Sequence, residues 1–131
     1  MRMVYSKRLI EHFEHPRQVG RFDEAATDVG TGMTGTQETG GVLRVQIQVG
    51  PNHLITDTRF KAYGSPALIA AGSWLAEAVK GTELEYAGSL THQPIAEALE
   101  LTSAQLHCAL LAEDAIRMAV RNYKDKQGVY V

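Results

Sequence analysis

The chain has 131 residues, 44% of them hydrophobic and 21% charged, with a formal net charge of -2. That length suits a single domain over residues 1–131 whose core needs no disulfide or metal staple, and the charge balance excludes both a disordered tail and a basic module for nucleic acid. No stretch reaches the roughly 18 uninterrupted apolar residues of a membrane span, and the opening MRMVYSKRLIEHFEH turns polar too soon for a secretion signal, so no membrane partner is expected and the cytoplasm is the expected compartment. Cys108 is the only cysteine, which rules out an intramolecular disulfide and any Cys-x-x-Cys site and agrees with a reducing compartment.

In chain order, residues 6 to 15 carry Leu9, Ile10 and Phe13 on one helical face, with Ser6 as N-cap and Pro16 as the stop, and predict a short first helix. From Arg17 to Gly41 glycines recur, including Gly30, Gly32, Gly35, Gly40 and Gly41, among Thr and Asp. This segment reads as turns around at most one irregular strand, with glycine giving backbone freedom rather than core. GVLRVQIQV then alternates, Leu43, Val45, Ile47 and Val49 pointing one way and Arg44, Gln46 and Gln48 the other, as a half-buried strand does. A turn at Gly50, Pro51 and Asn52 leads into LITDTRFKAY, whose β-branched and aromatic residues and polar alternates Asp57, Arg59 and Lys61 suit a hairpin partner.

The next segment, SPALIAAGSWLAEAVKG, places Ala67, Ala71, Trp74 and Ala78, flanked by Leu75 and Val79, at helical spacing. Ser65 caps this helix, Pro66 takes its first position and Gly81 closes it. Glu85 to Leu101 holds a short helix or two around Pro94. From about Gln105 to Lys124, Leu106, Ala109, Ala112, Ile116, Ala119 and Tyr123 form one stripe of a long C-terminal helix, with a Glu113 to Arg117 pair outside. Strands followed by helices specify an α+β fold, an antiparallel sheet with helices packed on one face.

His107 and Cys108 are adjacent at the start of the last helix, where free N–H groups and the helix dipole favour an anion such as a thiolate. On the residues alone, a capped, partly buried helix start outweighs a ligand role. The glycine-rich loop at 30 to 41 lacks the Gly-x-x-x-x-Gly-Lys pattern of a phosphate cradle. His12 and His15, spaced i, i+3, are read as a solvated pair at a helix end rather than as a metal site. Ser65 next to a base such as His107 has the makings of a nucleophile; capping explains it better, so no catalytic residue is assigned and the chain is not expected to be an enzyme.

Several segments together resemble the U-type scaffold family of iron–sulfur cluster assembly, the NifU N-terminal-like proteins. They are VYSKRLIEHFEHPRQVGRFD, VGTGMTG, RFKAYG, IAEALEL and HCALLAEDAIRMAVRNYK, with HCxxLAEDAI the most specific, and they run over essentially the whole chain. The resemblance implies a three-stranded antiparallel sheet with helices against it, and a site of three cysteines and an aspartate with a histidine beside the third cysteine. The first cysteine is matched here by Thr39, the aspartate by Gly41 and the second cysteine by Ser65, with Pro66 where the family usually has glycine. His107 and Cys108 match the histidine and the third cysteine. The family's Leu-Pro-Pro-Val-Lys stretch, which a dedicated Hsp70 chaperone reads, is here Leu101, Thr102, Ser103, Ala104 and Gln105, so chaperone recognition is not expected.

Neutral hydroxyls at Thr39 and Ser65 lack the charge and softness of the thiolates that clusters need. The chain is therefore read as a degenerate scaffold-like protein unable to hold a standard three-cysteine cluster. His107 and Cys108, with a carboxylate such as Glu38, remain candidates for a single iron or zinc ion, or Cys108 for a sulfur atom taken from a cysteine desulfurase. The alternative is a non-catalytic module that docks the desulfurase or another partner.

Overall fold

Ser6 opens the first helix: its Oγ accepts from the Leu9 N–H at 3.1 Å, and α1 runs over Lys7–Glu14 until His15 leaves helical geometry ahead of Pro16. The structure, a computed structural model, describes residues 5–36, 38 and 40–128. Strands β1 (Val29–Thr36), β2 (Gly41–Val49) and β3 (Ile55–Tyr63) form an antiparallel sheet in the order β1-β2-β3. Gly32 lies opposite Val45 and Arg44 opposite Lys61, with an irregularity between Gln48 and Val49 before the turn. Helix α2 (Pro66–Val79) is followed by α3 (Leu84–Ser89), α4 (His92–Leu99), a 3₁₀ turn at Ser103–Gln105 and the long α5 (Leu106–Lys126).

The alternation of β2 sends Leu43, Val45, Ile47 and Val49 into one core with Phe60 of β3, Leu68 and Leu75 of α2, and Ala112 and Ile116 of α5. Each buried Val, Leu, Ile or Phe side chain among them contributes roughly 1.5–3 kcal/mol. Helices thus cover one face of the three-stranded sheet, as an α+β domain requires. Two helices, α3 and α4, occupy the segment around Pro94, which sits in the first turn of α4, where a missing N–H is tolerated.

The other face is crossed by the segment after α1. Gln18 O accepts from Phe60 N–H and Gly20 N–H donates back to Phe60 O, so the segment first pairs parallel to β3. Phe22 N–H then donates to Gln46 Oε1 at 2.8 Å. Gln46 is consequently buried, at 1% exposure, rather than on an open polar face. Its Nε2 reaches Phe22 O and Thr31 Oγ1, so its amide is satisfied where it is covered.

Two expectations about the N-terminal third are corrected. β1 is a regular eight-residue strand in unbroken register with β2, and Gly30 and Gly32 belong to its packing. A Cβ at Gly30 would lie 2.1 Å from Ala119 O, and one at Gly32 2.0 Å from Ala115 O. Glycine there lets α5 lie directly against the strand. On α1, Phe13 is 39% exposed and His12 is buried in the place a hydrophobic residue would take.

Candidate functional site

The starts of α2 and α5 meet at Ser65 and Cys108. Ser65 Oγ accepts from Leu68 N–H at 3.3 Å, with Pro66 in the first helical position, so the cap is the one its sequence specified. The same Oγ lies 3.7 Å from Cys108 Sγ. Ahead of α5, Thr102 N–H donates to Gln105 Oε1 at 2.9 Å in a capping box, which makes 101–105 a capped turn leading into the helix.

His107 is exposed, whereas Cys108 is 1% exposed. His107 Nδ1 lies 3.1 Å from Ala104 O; a carbonyl only accepts, so the ring hydrogen belongs on Nδ1 and Nε2 is left as an acceptor in the neutral ring. That Nε2 is 3.6 Å from Cys108 Sγ. Burial pushes the Cys108 thiol above its ordinary range, and the weaker pull of the Ser65 hydroxyl does not offset it. Burial of the sulfur thus works against the thiolate that the helix-start position alone leads one to expect.

Gly41, at the sequence-matched aspartate position, takes a side chain in this packing only if the Leu68 side chain moves aside. A Cβ there would lie 2.5 Å from Leu68 Cδ2 and 3.0 Å from Tyr63 O. The neighbouring Gly64, at φ +152°, has its own Cβ position 2.9 Å from Gly40 O, so the two backbones pass in close approach. Leu68, itself buried, fills the space. Thr39 lies outside the described residues. Glu38 is exposed, and among the described residues no set of three His, Cys, Asp or Glu side chains is placed to hold a metal.

His12 and His15 are not a solvated pair. His12 is 2% exposed and its Nδ1 lies 2.8 Å from Ser73 Oγ, which also accepts from Arg17 N–H at 2.9 Å. Glu77 stands 3.9 Å from His12 Nε2 and 3.6 Å from Arg17 Nε. Burial, aided by the Arg17 charge, pulls His12 below the ordinary imidazole value. The two rings share no ligand position: one is a satisfied core group and the other an exposed helix C-cap.

The meeting point thus supplies one thiol, one imidazole and one neutral hydroxyl. These residues do not fit a cluster, which needs several thiolates on one site. Sequence reasoning found Ser65, His107 and Cys108 but missed Leu68, whose role follows only from the helix placing it over Gly41; an apolar residue three positions after a cap carries no such signal.

A family model for the NifU-like N terminal domain matches residues 4–129. The chain belongs to this family. Relatives of this NifU-like chain include the Haemophilus influenzae protein named iron-sulfur cluster assembly scaffold protein IscU, 48% identical over 96% of this chain and 100% of that protein. The Escherichia coli K12 protein of the same name is 45% identical, over 95% of this chain and 98% of that one. Among solved structures, the N-terminal part of a nitrogen-fixing NifU-like protein from Brucella abortus matches with a TM-score of 0.65, covering 92% of this chain and 94% of that chain. At 18% identity that match speaks for the fold, and it bears out the α+β reading with its three-stranded antiparallel sheet and long C-terminal helix.

Proposed function

We propose that this NifU-like chain serves iron–sulfur cluster assembly as a partner-docking module on the scaffold fold, without holding a cluster itself and without enzymatic turnover. The observation that carries this reading is the closure of the matched site. Leu68 Cδ2 occupies the space a side chain at Gly41 would need, and Ser65, in place of a thiolate, caps α2. The rest of the chain supports docking, since it keeps 45–48% identity over 95–96% of its length to proteins named as cluster assembly scaffolds. The partner proposed is a cysteine desulfurase, met in the cytoplasm; recognition by the Hsp70 chaperone is not part of the reading, because Leu101 to Gln105 lack the prolines and lysine.

Co-purification of the full chain with the desulfurase tests it. The reading expects a complex that Cys108→Ala leaves within about twofold in affinity, under 0.5 kcal/mol. No complex, or one that needs the thiol, would count against it.

A second reading rests on His107 Nε2, an acceptor facing Cys108 Sγ at 3.6 Å. The imidazole takes the thiol proton when local opening exposes the sulfur, and Cys108 then accepts the outer sulfur of a desulfurase persulfide, leaving the desulfurase thiolate behind. The same pair would supply two of the ligands of a single iron or zinc ion. Mass spectrometry after incubation with desulfurase and cysteine, and metal content with Cys108→Ala as control, decide between them: a gain of one sulfur on Cys108, or metal lost with the substitution, supports the respective form.

A further inference from the structure

The sheet face opposite the helices carries a charge arrangement that the fold does not explain. Arg44 of β2 and Lys61 of β3 are direct cross-strand partners, and like charges in that position destabilise a sheet. Arg21, from the segment crossing this face, joins them around a cleft of about 250 Å³ lined also by Val19, Gly20 and Tyr63. No carboxylate lines it. Nearby Asp57 is engaged with Arg59 and Lys80, and Asp23 accepts from Ala25 N–H. Among the described residues none of Arg21, Arg44 and Lys61 forms an ion pair.

Arg44 is also incompletely satisfied. One Nη donates to Gly20 O at 3.1 Å, but its Nε is buried without an acceptor among the described residues. A buried guanidinium nitrogen left this way costs free energy. Lys61 Nζ sits 5.4 Å from the centre of the Tyr63 ring, which holds the ammonium at the cleft. A repulsive pair, an unpaired buried donor and a concave wall with three cations converge on one place in a chain whose net charge is negative. Local conflicts of this kind are expected at functional or strained sites.

We propose that this cleft binds a phosphoryl oxyanion, either inorganic phosphate or a phosphate at the end of a larger molecule. Two arginine forks and an ammonium match a tetrahedral group with several oxygens and close to two negative charges better than a carboxylate with one. The volume lies below the roughly 300–1,000 Å³ of pockets that enclose whole drug-sized ligands, so a headgroup enters and the remainder stays in solvent. The cleft lining includes none of Ser65, His107 and Cys108, and the proposal does not depend on the docking reading.

The test is a titration of the full-length ¹⁵N-labelled chain with inorganic phosphate, ADP, acetate and an acidic peptide at fixed ionic strength, with chloride as the control. Saturable amide shifts at Gly20, Arg21, Lys61 and Tyr63 are expected with phosphate or ADP. Saturation by phosphate itself identifies the free anion as sufficient; saturation by ADP alone identifies the phosphate of a larger molecule. Lys61→Glu is expected to weaken binding about tenfold or more while raising the unfolding midpoint, because it turns a repulsive cross-strand pair into an attractive one. Arg21→Gln, at an exposed position, is expected to weaken binding at unchanged stability. Shifts that grow linearly with every salt, equal saturation by acetate, saturation by the acidic peptide alone, or undiminished binding in both variants would overturn the proposal.

Discussion

Two serines on the same helix show how differently a polar contact is used in this molecule. Ser73, within α2 and itself buried, bonds His12 Nδ1 at 2.8 Å and Arg17 N–H at 2.9 Å. Ser65, at the head of the helix, caps Leu68 N–H and meets Cys108 Sγ at 3.7 Å. The first is a short, closed network that ties α1 to α2; the second is a loose contact beside a thiol that burial keeps protonated. The contrast teaches that polar residues here are held tightly where they join elements. At Ser65 and Cys108 the groups are held by ordinary helix capping and packing.

The largest effect separating the two regions is expected from His12→Ala. It removes a buried ring and leaves Ser73 with one partner fewer, at about 2–4 kcal/mol, measured by denaturant unfolding. Next comes Gly41→Asp, which forces a side chain against Leu68 Cδ2 and is expected to cost about 1–3 kcal/mol. Combined with Leu68→Ala it should cost clearly less than the sum of the two single changes. Strict additivity would show that Leu68 does not close the site. Ser65→Ala should cost only about 0.5–1 kcal/mol, the worth of a cap.

The smallest effect is a pH slope. His12 titrates below its ordinary value of 6.5 in the folded chain, chiefly because it is buried. As pH falls through 6.5 the unfolded chain takes up a proton that the folded one resists, so stability declines toward acid and levels off below the folded value. His12→Gln should flatten that decline in unfolding midpoints measured across the range; an unchanged slope would assign it to other groups.

The fold was largely legible because its signals are local. Ser6, Ser65 with Pro66, and Gly81 punctuate helices through their own backbone chemistry, and the alternation from Leu43 to Val49 writes one face of a strand directly. The strand character of Gly30 and Gly32 is not legible, because a turn glycine and a glycine that admits a helix from far along the chain look the same in sequence. Gln46 faces away from the apolar core as the alternation predicts, but its burial, like that of His12, depends on Phe22 and Ser73, which no local pattern connects to them. At the site, His107, Cys108 and Ser65 could be named from motif positions. The raised thiol and the filled space over Gly41 are properties of packing, and only the assembled helices show them.

Whether this chain holds a cluster is decided by anaerobic reconstitution with ferrous iron and sulfide, read as acid-labile sulfide and visible absorption per chain. A quadruple variant carrying Thr39→Cys, Gly41→Asp, Ser65→Cys and Leu68→Ala serves as the positive arm. The natural chain is expected to carry no labile sulfide above that of Cys108→Ala, and the variant to carry a cluster. A stoichiometric cluster on the natural chain that Cys108→Ala abolishes would contradict this expectation.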